Sequence, residues 1–375
     1  MAPSAIATHL SNNQNLVHET KKITPKVTRQ IDIEGGTTNA KYAHYLPTWN
    51  HGQKYPSLEP FEYIERAKDA DPSLKDVLPV GSNIKPLTPN IGSEVSGVQL
   101  SQLSDTGKNQ LALLVAQRKV VAFRDQDFAD LPIQEALDFG KYFGRHHIHP
   151  TTGSPEGYPE VHIVHRSPTG DPNNDIGQDN RNHGTAWHSD VSFEDQPPGI
   201  TFLYALDLPE VGGDTVFADG VEAYKRLSPA LQQRLHGLKA VHSNVESHER
   251  IRANGLVLRR EPTETEHPIV RTHPATGEKS LFITGGFLRR IVGLKKEESD
   301  ALIKFLRGLI EDSQDLHTRV FWKPKTVVVW DNRVTAHTAL FDFNRDNPTE
   351  RRHLGRITLQ AERPYETSFV GLSTS

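Results

Sequence analysis

The sequence predicts an α+β protein: a β-sandwich or barrel with helices packed outside it. Short runs rich in Val, Ile, Phe and Thr recur along the chain: "ITFLYAL" (200–206), "TVFAD" (215–219), "PIVRTHP" (268–274), "SLFITGG" (280–286), "TVVVWD" (326–331) and "GRITLQ" (355–360). Clusters of Gly, Pro, Asn and Asp bound them, as turns bound strands. Helical patterns are few and lie apart from these runs, which favours strands forming the core.

Taken in order, residues 1–40 are polar and poor in aromatics and read as a mobile extension. "KYAHYLPTWNHGQKYPSLEPFEYIER" (41–66) interleaves aromatics with prolines, a pattern expected to wrap irregularly over a larger body or a partner subunit. Residues 1–80 are therefore set apart as an N-terminal extension, and 81–375 as the main domain. In "SDTGKNQLALLVAQRK", Ser104 or Asp105 is placed to cap a helix, and "VVAFRDQ" follows as a strand. "LPIQEALDFGKYFG" spaces Ile133, Leu137 and Phe143 helically. "LSPALQQRLHGL" starts a helix with Ser228 as cap and Pro229 at its first position. "KKEESDALIKFLRGLIED" aligns Leu302, Leu306 and Leu309 on one face. "SPTGDPNNDIGQDNRNHG" (167–184) reads as a long polar loop. No internal repeat is present.

Composition narrows the function. With 43 basic and 47 acidic residues among 375, the balance gives no reason to expect nucleic acid or an anionic membrane as partner. There are no cysteines, which excludes disulfides, thiolate metal sites and cysteine nucleophiles. No apolar stretch approaches the ~18–20 residues of a membrane span. The first residues lack a secretory pattern, and "GLSTS" is not a peroxisomal address. A cytoplasmic protein is expected, and a homo-oligomer, dimer or tetramer.

The chemistry centres on "GTAWHSDVSF" (184–193). On a strand, His188 and Asp190 would point to one face and reach one metal ion. "TVVVWDNRVTAHTALFDF" adds His337 just past an apolar strand and a turn. Two histidines and a carboxylate form the facial triad of non-haem iron oxygenases, which leaves positions open for a chelating cosubstrate and O₂. "ERRHLGRITL" places Arg352, Leu354 and Arg356 on one face if extended, where a guanidinium could grip a carboxylate. Arg351 should point the other way, as surface charge.

The chain resembles the taurine dioxygenase-like (TauD/TfdA) iron(II)- and 2-oxoglutarate-dependent dioxygenases. The resemblance rests on "VVAFRDQ", "FGRHHIHP", "WHSDVSFEDQPPG", "LPEVGGDTVFADG", "HPIVRTHPATGEKSLFITGGF", "VVVWDNRVTAHTA" and "RRHLGRITL", which follow the family's order over roughly residues 85–365. The additional N-terminal residues are similar to those of fungal-type sulfonate dioxygenases. The resemblance implies a double-stranded β-helix (jelly-roll, cupin-like) core with flanking helices. It implies Fe(II) on His188, Asp190 and His337, with 2-oxoglutarate and O₂ as cosubstrates. Thr215 and Arg352 match the positions that hold the 2-oxoglutarate carboxylate. Arg356 and His149 match the grip on a substrate sulfonate.

The chain also departs from the taurine enzymes. Gly184 stands where they carry asparagine, and Thr152 where they carry tyrosine. His248 falls where they have an aromatic pocket wall. The segment between His337 and Arg352 is longer, so Phe341 and Phe343 are candidates to shape the pocket, with Val191 beside the triad. A small anionic substrate unlike taurine is expected. Three readings stand: a sulfonate dioxygenase releasing sulfite and an aldehyde; the same cofactors acting on an amino acid or other carboxylate by hydroxylation, desaturation or cyclisation; or a zinc hydrolase or non-catalytic metal- and carboxylate-binding barrel.

Overall fold

The computed structural model describes residues 29–30, 38–166, 185–344 and 350–369. Strand β1 (Arg29–Gln30) pairs with β2 (Thr48–Trp49). A main antiparallel-rich sheet then begins with β3 (Asn83–Pro86) and β4 (Ser93–Ser96). Helix α1 (Asp105–Arg118) leads to β5 (Val120–Phe123), which runs parallel to β4. Ser104 caps α1 by accepting from the Gly107 amide, which satisfies one of the unpaired donors of the first turn. Helix α2 (Ile133–Lys141), β6 (Arg145–His146) and β7 (Val161–Arg166) follow. Two long partners complete the sheet: β8 (Pro198–Asp207) and, much later, β18 (Arg352–Gln360).

A second, smaller sheet faces the first. Its middle strand, β9 (Thr215–Asp219), leads into α3 (Gly220–Lys225) and α4 (Pro229–Leu235), the latter capped by Ser228 as its Ser-Pro start predicts. Next come β10 (Lys239–Ser243), α5 (Val245–Ala253) and β11 (Glu264–Pro268), then the hairpin of β12 (Val270–Thr272) and β13 (Lys279–Leu281). Strand β14 (Leu288–Ile291) forms a third sheet with β10 and β11. Helix α6 (Lys296–Glu311) buries Leu306 and Ile310, with Leu302 and Leu309 partly covered beside them. The chain closes with β15 (His317–Val320), β16 (Val327–Asp331), β17 (Thr335–Ala339) and β18 (Arg352–Gln360). The small sheet runs β15-β9-β17; the main one runs β3-β4-β5-β16-β8-β18-β6, with β7 also on β18. The two form a jelly-roll core, and the helices lie outside it.

The central strands are buried on both faces, which is why they read as continuous apolar runs. On β8 and β16, Phe202, Tyr204, Val327 and Val329 pack toward α1 and α2. Their neighbours Leu203, Val328 and Trp330 pack toward the small sheet, with Phe217 and Leu354. Strand β18 alternates likewise: Ile357 and Leu359 join the first layer, while Leu354 joins the second. The arginines at 352 and 356 share Leu354's face. Gly355, on the other face, lies against the Tyr204 ring; a Cβ there would sit 2.4 Å from Cζ.

Residues 38–66 lie on this body. Tyr42 and Tyr45 belong to the same apolar cluster as Phe202 and Tyr204. Glu65 pairs with fully buried Arg333, which also binds Asp331 at 2.7 Å. Burial alone would raise the Asp331 carboxyl, but Arg333 and His273 hold it well below the usual carboxylate range. This network fixes the turn that leads into β17. Arg351 is not surface charge: it is 7% exposed and donates to His165 (2.9 Å) and Asn39 (2.7 Å). The irregular chain ahead of β18 turns it inward, against strand alternation. No helix among the described residues is long and apolar enough to cross a membrane.

Candidate active site

A cavity of about 280 Å³ opens between the two sheets, and the predicted residues converge on it. His188, Asp190 and His337 stand on its wall with ligand atoms all within 4.8 Å of one another. The means of assembly differs from the sequence expectation. His188 and Asp190 do not share a strand face. His188 forms an isolated bridge with His337, the two exchanging backbone hydrogen bonds of 3.1 and 2.8 Å, and Asp190 already lies in a turn. Val191 continues that turn with φ +36°, a left-handed conformation unfavourable for a β-branched residue. Asn332 anchors it: its Oδ1 accepts from the Asp190 amide at 3.2 Å and the Trp330 indole at 3.0 Å, and its carbonyl accepts from Ser189 Oγ at 2.8 Å.

The Nε2 atoms of His188 and His337 lie 3.7 and 3.8 Å from Asp190 Oδ1. His188 Nδ1 donates to the Ala186 carbonyl at 2.7 Å, which leaves the Nε2 lone pair on the triad side. Burial pushes His337 down to about 3, so its ring is an unprotonated imidazole. Burial would raise Asp190, but the Arg356 guanidinium outweighs it and holds the carboxyl below its usual value. Asp190 Oδ2 is buried with no hydrogen-bond partner. Two neutral imidazoles and a carboxylate oxygen without a partner fit a divalent transition metal.

Arg352 and Arg356 lie at different parts of the wall. Arg352 donates through Nε to the Gly213 carbonyl at 2.7 Å and makes no ion pair among the described residues. Burial, with Arg166 opposite it on β7, pushes it down to about 10, still charged at neutral pH. Thr215 Oγ accepts from the Trp322 indole at 3.3 Å, so its own proton remains available to another acceptor. Arg356 donates to Asp190 Oδ1 at 2.7 Å and to His162 Nδ1. His149 and Thr152 stand on the same wall; His149 Nδ1 accepts from the Thr151 and Thr152 amides, both at 3.3 Å.

Val191 and Phe341 also reach the wall, and Phe341 lies under Arg166, 4.7 Å from its guanidinium. Two predicted residues do not reach it. His248 is buried in α5, where its Nδ1 bonds the Asn244 carbonyl at 3.1 Å. Phe343 is buried against the Gly213 turn, because the chain after β17 doubles back over that turn. Gly184 lies outside the described residues. The sequence reading missed His162, Val164 and Arg166, which project from one side of β7, and also Phe287, Trp330 and the anchoring Asn332. The alternation in "VHIVHR" was a usable signal for the first three.

The sequence model of the taurine catabolism dioxygenase TauD, TfdA family matches residues 83–358. An alpha-ketoglutarate-dependent sulfonate dioxygenase of Saccharomyces cerevisiae is 44% identical over 331 residues, covering 87% of this chain and 79% of its own. An alpha-ketoglutarate-dependent dioxygenase of Penicillium expansum, whose name specifies no substrate, is 39% identical over 330 residues, 86% of this chain and 90% of its own. The crystal structure of a taurine dioxygenase from Burkholderia xenovorans superposes with a TM-score of 0.60 at 32% identity, over 76% of this chain and 90% of that one.

Proposed function

The chain belongs to the TauD/TfdA family and is a non-haem iron(II)- and 2-oxoglutarate-dependent dioxygenase; from that premise we propose that it oxidises a small alkyl sulfonate, gripped head-first by Arg356. One observation carries the anionic substrate. Two buried arginines, Arg352 and Arg356, stand on the cavity wall against one buried carboxylate, Asp190. A site with that surplus of buried positive charge favours anions over neutral or cationic molecules. The choice of sulfonate draws on the yeast relative.

In this reading His188, Asp190 and His337 hold iron(II), and Thr215 and Arg352 hold the far carboxylate of 2-oxoglutarate. Bound there, iron(II) with 2-oxoglutarate and O₂ supplies an oxidant able to hydroxylate an unactivated C–H, with succinate and CO₂ as coproducts. Arg356 and His149 fix the substrate head, and Val191, Phe287 and Phe341 offer apolar surface to its chain. The protein's contribution is to hold one C–H in place and keep water away. When the hydroxylated carbon bears the sulfonate, loss of sulfite leaves an aldehyde. A zinc hydrolase would have no use for a second carboxylate clamp at Thr215 and Arg352. A homo-oligomeric, cytoplasmic enzyme completes the proposal.

The experiment is a screen of alkyl sulfonates, sulfate esters and amino acids with iron(II), ascorbate and O₂. Succinate and sulfite are expected in equal amounts with sulfonates. Succinate without sulfite, on an amino acid or other carboxylate, would replace the sulfonate reading with the alternative that keeps the same cofactors.

A further inference from the structure

The wall around Arg356 carries several hydrogen-bond donors beyond the guanidinium's Nη groups. His162 projects from β7 onto this wall, its ring centroid 4.8 Å from that of His149. Its Nδ1 accepts from an Arg356 Nη, so the proton of the neutral ring sits on Nε2. His149 has the same polarity: its Nδ1 accepts from two backbone amides, which leaves Nε2–H as donor. Burial and nearby Arg356 hold both rings well below the usual histidine range, in keeping with neutral rings. Neither Nε2 has a partner among the described residues. Thr152 Oγ and Arg356 Nε are both buried, on the same wall, without one.

We propose that His162 is a specificity-determining residue: its Nε2–H takes one oxygen of a tetrahedral, three-oxygen head group, while Arg356, His149 and Thr152 serve the other two. A carboxylate has two oxygens in one plane, and Arg356 alone can occupy both. A sulfonate or sulfate ester has three oxygens around one axis and leaves no donor of the cluster unused. Buried donors without acceptors disfavour binding, so the cluster selects against a planar head as well as for a tetrahedral one. His162 acts at the head group alone, and 2-oxoglutarate is gripped elsewhere, near Gly213. The inference rests on the sulfonate reading above.

The test is calorimetric binding to the anaerobic iron(II)–2-oxoglutarate enzyme, with 1-pentanesulfonate and hexanoate as probes of matched chain length. His162→Phe keeps a ring and removes both nitrogens. It should weaken pentanesulfonate about tenfold to a hundredfold, the range for a hydrogen bond to a charged group, and leave hexanoate within about twofold. His162→Gln, which keeps a donor and an acceptor, should restore most of the difference. His162→Leu is a second deletion, and unchanged 2-oxoglutarate binding in each variant shows that the site is intact. Equal losses for both probes would mean that His162 acts only by supporting Arg356, and no loss that it touches no substrate; either overturns the proposal. If the unmodified enzyme binds no sulfonate or sulfate ester at all, the substrate reading itself fails, and the proposal with it.

Discussion

Replacing His337 by alanine is expected to reduce succinate formation to background, a loss of more than about a hundredfold, since mutating mere outer partners of metal ligands already costs ~10–100-fold. The reason is geometric. His337 and His188 hold one another through a two-way backbone bridge, and their side chains meet the Asp190 carboxylate from one side. Removing one imidazole leaves two ligand atoms, too few to hold the metal against water. Metal content after dialysis and iron(II) titration by calorimetry should fall together with activity. The fold should survive, because the bridge is made by backbone atoms. A variant that retains full metal affinity would show that His337 is not a ligand.

Arg352→Ala is expected to raise the KM for 2-oxoglutarate about thirtyfold to several-thousandfold, while leaving the affinity for the substrate nearly unchanged. Truncating one partner of a buried, hydrogen-bonded charge pair costs ~2–5 kcal/mol, and each 1.4 kcal/mol is about tenfold. Arg352 is buried, held by the Gly213 carbonyl, and makes no ion pair of its own among the described residues. A cation so placed needs an anionic ligand, and Thr215 adds a hydroxyl to the same end of the cavity. Initial-rate measurements with each substrate varied in turn separate the two constants. An unchanged 2-oxoglutarate KM would remove Arg352 from the clamp.

The histidine–aspartate pair, the remote histidine and the two arginines were legible in the sequence because each lies beside a strand pattern and is chemically conspicuous there. Helices with explicit caps, at Ser104 and Ser228, were legible for a similar reason: the signal is local. What could not be read is what depends on register between distant segments. His162 reaches the cavity because β7 pairs with β18 so that His162 opposes Arg356. Phe287 arrives from the start of another sheet. Asn332 looks like an ordinary turn residue until the turn at Asp190 is found resting on it. His248 failed for the opposite reason: a match of position in a loosely related segment says nothing about which way a helix faces. Arg351 was misread because alternation was extended one residue past the end of the regular strand.

Arg352 and Arg356 sit on one strand, paired without a break against β7 from Arg352 to Ile357. Two residue pairs of extended chain set them roughly 13 Å apart, and an extended strand cannot stretch. If Arg352 holds 2-oxoglutarate and Arg356 a sulfonate head, as proposed above, such a spacing works as a ruler: the separation of the two grips is fixed by the backbone, whatever the length of the alkyl tail. Regiochemistry is then counted from the head. In a series of n-alkyl sulfonates, chain length should alter affinity while the deuterium isotope effect stays at C1 in every member. Migration of that effect along the tail would mean that the apolar end, not the strand, sets the point of attack. A library of substrates for this enzyme would thus differ at one end only, and each would yield the same inorganic product.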